Sequence, residues 1–351
     1  MTHITFLSTV AVAATLLSAF TLPPPTVLPV VETDPVPDAG DAADDPAIWV
    51  HPRDPSQSLV IGTNKRGGLA VYDLGGSQIQ YLPVGEVNNV DVRDGFMLGE
   101  RAVALVGASH TTGKYIRLFS IDPDTRRLTE MPDGTIVVGL PKPYGFCFYR
   151  SVKDRALYAF VSDQGGSVEQ WKLDGSSGVV AATLVRTIPI ASQTEGLVAD
   201  DELGWLYASE EKVSIWRFPA EPGETTRGVV IDRVGKKGPV VPDAEGLAIW
   251  KGQNGQGYLL VSSQGSSTFA VYERTPPNAY LGSFSVGASA SIDAVTGSDG
   301  IDVCSASLGA AYPNGMLVVQ DDENPGRNQN FKFVPWEHVA RALKPALRLR
   351  P

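Results

Sequence analysis

Short apolar runs bounded by Gly, Ser, Asp and Asn recur along the chain, and they come in sets. Each set opens on a polar or acidic motif that leads into an apolar strand. The six openings are Asp44-Asp45-Pro46-Ala47-Ile48-Trp49, Asn88-Asn89-Val90-Asp91-Val92, Tyr144-Gly145-Phe146-Cys147-Phe148, Glu195-Gly196-Leu197-Val198-Ala199, Glu245-Gly246-Leu247-Ala248-Ile249 and Asp299-Gly300-Ile301-Asp302-Val303. A second apolar run, a polar break and a third run follow each opening, as in Leu59–Ile61, Thr63–Gly67 and Leu69–Tyr72 of the first set. Runs of this length with such boundaries are strand signals. A repeat of roughly 45 to 55 residues belongs to propellers and solenoids. The pattern predicts an all-β, six-bladed β-propeller with four- to five-stranded antiparallel blades over residues 39–337. The one helical window is short, around Trp336 to Leu343, and the residues from 338 to 351 read as a C-terminal tail.

The ends of the chain add two expectations. The apolar run Phe6 to Phe20 reads as a secretory signal peptide within residues 1–20, and so predicts a secreted or periplasmic protein with no stable membrane partner. Residues 21–38 are Pro-rich, which suits a linker, and Val27 to Val31 can also serve as an edge strand that closes the ring. The net charge of −10 argues against a nucleic-acid partner. The two cysteines, Cys147 and Cys304, fall in innermost strands of repeats three and six, on opposite sides of a six-bladed ring, and are expected to be free. Trp49 and Trp250 hold equivalent repeat positions and are expected in the core.

Propeller geometry gathers the openings. In an up-and-down blade the start of the first strand and the end of the second lie on one face. Asp45, Asn89, Tyr144, Glu195, Glu245 and Asp299 are therefore expected to share a face with Lys65, His110, Gln164, Glu211, Gln264 and Asp321. Two carboxylates at about 4 Å repel by about 4 kcal/mol at an effective dielectric of about 20. Bound cations remove that repulsion, and oxygen donors with almost no His or Cys favour Ca²⁺ over zinc or iron. For any single Asp, Asn or Gly the ordinary role is a turn. That account suits Glu195, Glu245 and the Glu210-Glu211 pair less well, because Glu is a poor turn residue.

Other chemistries are excluded by what is missing. Four histidines cannot build a multi-His metal centre, and no Gly-x-Ser-x-Gly elbow, Cys-x5-Arg loop or phosphate-cradling Gly-rich loop is present. An enzyme of this composition is expected to use water activated by metal as its nucleophile.

Taken in order, the motifs resemble the β-propeller phytases, calcium-dependent phosphatases secreted by bacteria. The resemblance is carried by Asp41–Trp49, Thr63-Asn64-Lys65, Asn88–Asp91, Tyr144-Gly145-Phe146, Ser192–Gly196, Asp243–Leu247, Ser262–Gly265, Asp299–Asp302 and Asn328–Lys332. It implies calcium-dependent hydrolysis of phytate, myo-inositol hexakisphosphate, of the 3-phytase type, by a monomer that takes its substrate as a calcium complex. It implies calcium sites at Asp45, Tyr144, Glu195, Glu211, Asp243, Glu245 and Asp299, with Glu211, Tyr144 and Glu195 catalytic. Lys65 matches a phosphate-binding lysine, with Arg66 beside it. The chain departs from the family in two places. The loop Ser109–Lys114 has no Arg, and Gln164 stands where a basic residue is expected. Two rival readings remain at this level: a calcium-dependent propeller lactonase, and a non-catalytic propeller that binds a partner.

Overall fold

The structure, a computed structural model, describes residues 23–350, and its strands form six separate sheets. The expected signal peptide at 1–20 lies outside the described residues. Blade 1 runs outward through Ala43–Trp49, Leu59–Asn64, Gly68–Asp73 and Gln78–Leu82. Blade 2 is Val87–Leu98, Arg101–His110, Tyr115–Asp122 and Arg127–Val137. Blade 3 is Pro143–Arg150, Leu157–Asp163, Ser167–Asp174 and Ala181–Pro189. Blade 4 is Thr194–Asp200, Trp205–Glu210, Ser214–Pro219 and Val229–Arg233. Blade 5 is Ala244–Lys251, Gly257–Ser263, Thr268–Glu273 and Tyr280–Val286. Blade 6 has three strands from its own repeat, Ile301–Cys304, Met316–Asp321 and Asn330–Pro335.

The N-terminal segment completes the last two blades. Val31–Glu32 pairs antiparallel with Asn330–Pro335 and becomes the outer strand of blade 6. Thr26–Val27 adds to the outer strand of blade 5, in parallel. The edge strand expected over Val27 to Val31 is instead two two-residue strands on different blades, because the chain crosses from one to the other between them. Each innermost strand touches those of the flanking blades, and Ile301–Cys304 touches Ala43–Trp49, so the ring closes.

The core follows from the pleat. Second strands are buried along their whole length in blades 1, 3, 5 and 6, because both of their faces meet neighbouring blades. Side chains between blades form the apolar clusters. Trp250, Tyr258, Leu317 and Val334 pack with Trp336, Val339 and Leu347. The helix Trp336–Ala342 is therefore part of the blade 5–6 seam, and the residues after 337 are packed rather than a loose tail. Trp49 and Trp250 are buried, as the repeat required.

Innermost strands surround a central channel of about 290 Å³. Carboxylates here tie one blade to the next. Asp45 Oδ2 accepts from Val90 N at 3.0 Å, Asp91 Oδ2 from Phe148 N at 2.8 Å, and Asp302 Oδ2 from Ile48 N at 2.7 Å. Arg93 answers part of the charge, 2.7 Å from Asp91 and 2.9 Å from Asp201. Cys147 and Cys304 both line the channel and both are free thiols.

Candidate active site

The innermost strands share a defect at one mouth of the channel. In blade 1, Ala43 pairs with Asn64 and the next pair is Pro46 with Gly62, so Asp44 and Asp45 together face Thr63. The same bulge sets Asn88-Asn89 against Ser109, Tyr144-Gly145 against Ser162, Glu195-Gly196 against Ser209, and Glu245-Gly246 against Ser262. In blade 6, Asp299-Gly300 sits just ahead of the strand, with Gly300 O accepting from Gln320 N at 3.1 Å. A bulge adds one residue to one strand and re-aims its side chain.

The serines opposite the bulges lock the ring. Ser162 Oγ donates to Thr194 O at 2.6 Å, Ser209 Oγ to Glu245 O at 2.8 Å, and Ser262 Oγ to Ser298 O at 2.7 Å, each in the following blade. Ser109 Oγ donates to Tyr144 O in the same way. Blades come so close here that a Cβ at Gly145 would lie 1.7 Å from Glu195 O. At residue 145 only glycine fits, whereas blades 1 and 2 carry Asp45 and Asn89 at the equivalent position.

The first bulge position faces the mouth: Asp44, Asn88, Tyr144, Glu195, Glu245 and Asp299. This corrects the sequence register by one residue in the first two repeats. Asp45, expected at the mouth, is equivalent to Gly145 and Gly196; its carboxylate turns into the channel and holds Val90 N. Asp44 takes the place assigned to it, and Asn88 that assigned to Asn89. Asn88 donates to Glu195 Oε1. Neither Asp44-Asp45 nor Asn88-Asn89 contains the Gly that marks this position in the other four repeats.

Three of the expected residues meet at the centre. Glu195, Glu211 and Glu245 are all buried, and one carboxylate oxygen of each lies within 4.8 Å of the others. Glu211 arrives from the end of blade 4's second strand, as the up-and-down geometry required. Tyr144 stands beside Glu195, and Asp44, 1 % exposed, adds a fourth carboxylate. Asp299 accepts from Gln264 Nε2 and from Lys65 Nζ at 3.4 Å. Lys65 is shared among Asp41 at 2.6 Å, Asp44 at 2.9 Å and Asp299 at 3.4 Å. Asp243 is at the rim, near enough to act on Glu211, with Lys212 Nζ 3.7 Å from its Oδ2.

Other expected residues stand apart from this centre. Arg66 is exposed, and its Nε donates to Asp41 O at 3.0 Å. Asp321 is fully buried against Lys332 Nζ at 2.6 Å, which also holds Asp293 at 2.6 Å, so its charge is answered internally. His110 serves its own loop, with Nδ1 accepting from Gly113 N at 3.0 Å. Gln164 does reach the mouth, sharing a depression with Glu211.

Protonation reflects crowding. Burial raises the Glu195 carboxyl far above the usual range, and Asp44 and Glu245 add to it. Glu245 is raised likewise, by burial and then by Asp299 and Glu211. Burial, with Asp243, lifts Glu211 to about 7, and burial, with Asp44, lifts Asp299 to about 7. Burial disfavours the Lys65 ammonium, but Asp44, Asp299 and Glu195 outweigh it and raise its pKa above the ordinary lysine value. The mouth is a crowded nest of carboxyl groups among which Lys65 is shared. Its buried oxygens Asp44 Oδ1, Glu211 Oε1 and Glu245 Oε2 have no hydrogen-bond partner. Buried polar atoms are seldom left so.

Residues 2–350 match the family model described as Phytase. The chain belongs to the phytase family. Like that family it is a phosphoric monoester hydrolase, which sets aside the lactonase and the non-catalytic reading. It is 44 % identical over 321 residues to a 3-phytase of Bacillus subtilis (strain 168), covering 89 % of this chain and 84 % of the relative. Among solved structures it is similar in fold to a luciferin-regenerating enzyme, with TM-score 0.55 and 13 % identity over 87 % of this chain and 95 % of that one.

Proposed function

We propose that the chain hydrolyses phytate at the mouth of the propeller, with Ca²⁺ held among Asp44, Glu195, Glu211, Glu245 and Asp299. The orphaned carboxylate oxygens carry this reading. Their donors are hard oxygens without His or Cys, which fit a hard cation of flexible coordination. A bare acidic mouth repels a polyanionic substrate, and bound divalent cations invert that sign. Bound there, calcium supplies Lewis-acid stabilisation of the phosphate oxygens and acidifies adjacent water.

The chain's own residues do the rest. Glu195, Glu211 and Glu245 hold charge in one place, so little reorganisation is needed when negative charge builds on the phosphate. Lys65 is tied to carboxylates that cations take over, which frees its ammonium to donate to a phosphate oxygen. Tyr144 closes one side of the cluster and orients Glu195. Asp243 on the rim adds a further carboxylate for a cation, and Arg66 offers its guanidinium to the substrate's outer phosphates. Small phosphate esters are the partner this geometry suits, and one propeller contains the whole site, which supports action as a monomer.

Phosphate release from phytate by the purified protein checks this, with excess chelator and after adding back Ca²⁺, Mg²⁺ or Zn²⁺. Activity is expected to vanish in chelator and to return best with Ca²⁺. Full hydrolysis in chelator would overturn the cation reading.

A further inference from the structure

The second strand of every blade ends on a buried polar residue: Asn64, His110, Asp163, Glu210, Ser263 and Asp321. In blades 1, 5 and 6 this residue ties down the segment that enters its own blade. Asn64 Nδ2 donates to Asp38 Oδ2 at 2.7 Å, Ser263 Oγ accepts from Val241 N at 2.8 Å, and Asp321 Oδ1 accepts from Thr296 N at 2.9 Å. Blade 4 sets the same tie between two members of the carboxylate cluster. Glu210 directly precedes Glu211, and its Oε1 accepts from Ser192 Oγ at 2.7 Å, three residues ahead of Glu195. Its Oε2 accepts from Trp216 Nε1 at 2.9 Å, on the third strand of the blade. Thr194 is the strand partner of Glu210, and Glu211 N donates to Gln193 O at 3.1 Å. The Glu210 side chain is buried, and both of its side-chain donors are neutral. A carboxylate is a costly group to bury. A satisfied buried network of this kind fixes one arrangement of the groups it joins.

We propose that Glu210 is a positioning residue that sets the spacing of Glu195 and Glu211, and through them the affinity of the cluster for a divalent cation. Its own oxygens are taken by Ser192 and Trp216, so it acts through its neighbours. The inference rests on the cation reading of the function proposed above. The action is geometric, so a side chain of the same shape that serves both donors replaces it. Glutamine does so: its carbonyl accepts from the Trp216 indole, and its amide donates to Ser192 Oγ, since a hydroxyl also accepts. Alanine leaves both donors without a partner and frees the segment that leads into Glu195.

Calorimetric titration of Ca²⁺ into chelator-stripped protein, with no substrate present, tests it. The unaltered protein comes first: no Ca²⁺ binding there overturns the cation reading and this inference with it, whereas the variants bear on Glu210 alone. Glu210→Ala is expected to weaken Ca²⁺ binding about ten-fold, the scale of losing an outer contact to a metal ligand. Glu210→Gln is expected to bind as the parent does. Ser192→Ala removes the tie to the Glu195 segment alone and is expected to weaken binding in the same direction; where Glu210→Ala does not fold, this variant decides. Glu169→Ala is the control for general loosening. Glu169 is also buried and accepts from a tryptophan, Trp171 Nε1 at 3.0 Å, but its other partner is Gly139 N in blade 3's entry loop. That control is expected to lower the melting temperature and to leave Ca²⁺ affinity unchanged. Parent-like affinity in Glu210→Ala, or in Ser192→Ala where the former does not fold, overturns the proposal. So does weakened binding in Glu210→Gln, which makes the charge and not the geometry of Glu210 the active feature. Equal weakening in Glu169→Ala overturns it too, because the effect is then one of stability.

Discussion

Asp44 and Asp45 are neighbours with unlike work. The bulge turns Asp44 to the mouth, where Lys65 is its ionic partner at 2.9 Å, and turns Asp45 to the channel, where Val90 N needs an acceptor. Removing one carboxylate charge from the cluster weakens cation binding without opening a cavity. Asp44→Asn is expected to keep the melting temperature and to lose most of its turnover at limiting Ca²⁺. Asp45→Ala strands the Val90 N–H between blades and is expected to cost about 1–3 kcal/mol of stability. Thermal unfolding and initial rates of both variants, measured side by side, separate the roles; a swapped result would restore Asp45 to the mouth. The hydrophobic pattern showed that one of this pair faces the site. It could not show which, because a bulge shifts the alternation by one residue without changing the sequence pattern around it. Glu195 and Glu245 were readable because Gly follows each and marks the bulge.

At the scale of the strand, one device is repeated. Every bulge of blades 1 to 5 has a hydroxyl opposite it, and blades 3 to 5 add a glycine at the second position, as Gly145 with Ser162 does in blade 3. A methyl at residue 145 would meet Glu195 O at 1.7 Å and Ser162 Oγ at 2.7 Å, so blade 4 must retreat. That retreat moves Glu195, a member of the cluster. Gly145→Ala is expected to lower stability by about 1–3 kcal/mol and turnover with it. Gly235→Ala is the control, since nothing lies within 4 Å of its added Cβ. Melting curves in saturating Ca²⁺ check both, and a Gly145→Ala protein as stable as the parent would mean that the blades do not touch there. The C-terminal helix shows the other side of legibility. Its position was readable from Trp336 to Leu343, but its burial against Trp250 and Tyr258 was not, since those residues are distant in sequence.

The whole ring converts scattered acids into one titrating unit. Glu211 and Asp299 are both lifted to about 7, against ordinary values of 4.5 and 3.8. An acid whose pKa is higher in the folded state binds its proton more tightly there. Its contribution to stability is complete below the unfolded value and is lost as pH rises through the folded one. Without cations, the melting temperature is therefore expected to fall as pH is raised from about 4 to about 8. Saturating Ca²⁺ binds the ionised carboxylates of the folded state and is expected to remove that decline. Melting in chelator and in Ca²⁺ across this range decides it; a melting temperature that rises with pH in chelator would mean the cluster is not under strain.

The amino-acid sequence alone determined the number of blades, the all-β class, the polar openings and the oxygen-only donor set. These are local properties: strand length, turn residues and repeat spacing act over a few residues and survive in one dimension. It also carried the acids Glu195, Glu211 and Glu245, because propeller geometry maps repeat position onto one face. Tertiary structure decided what depends on contacts between repeats. It chose Asp44 over Asp45, brought Asn88 to Glu195, and set Lys212 and Gln164 around one depression. Each of these is a meeting of side chains held apart by tens of residues or turned by a bulge. Their energies exist only once neighbouring blades have packed and excluded water.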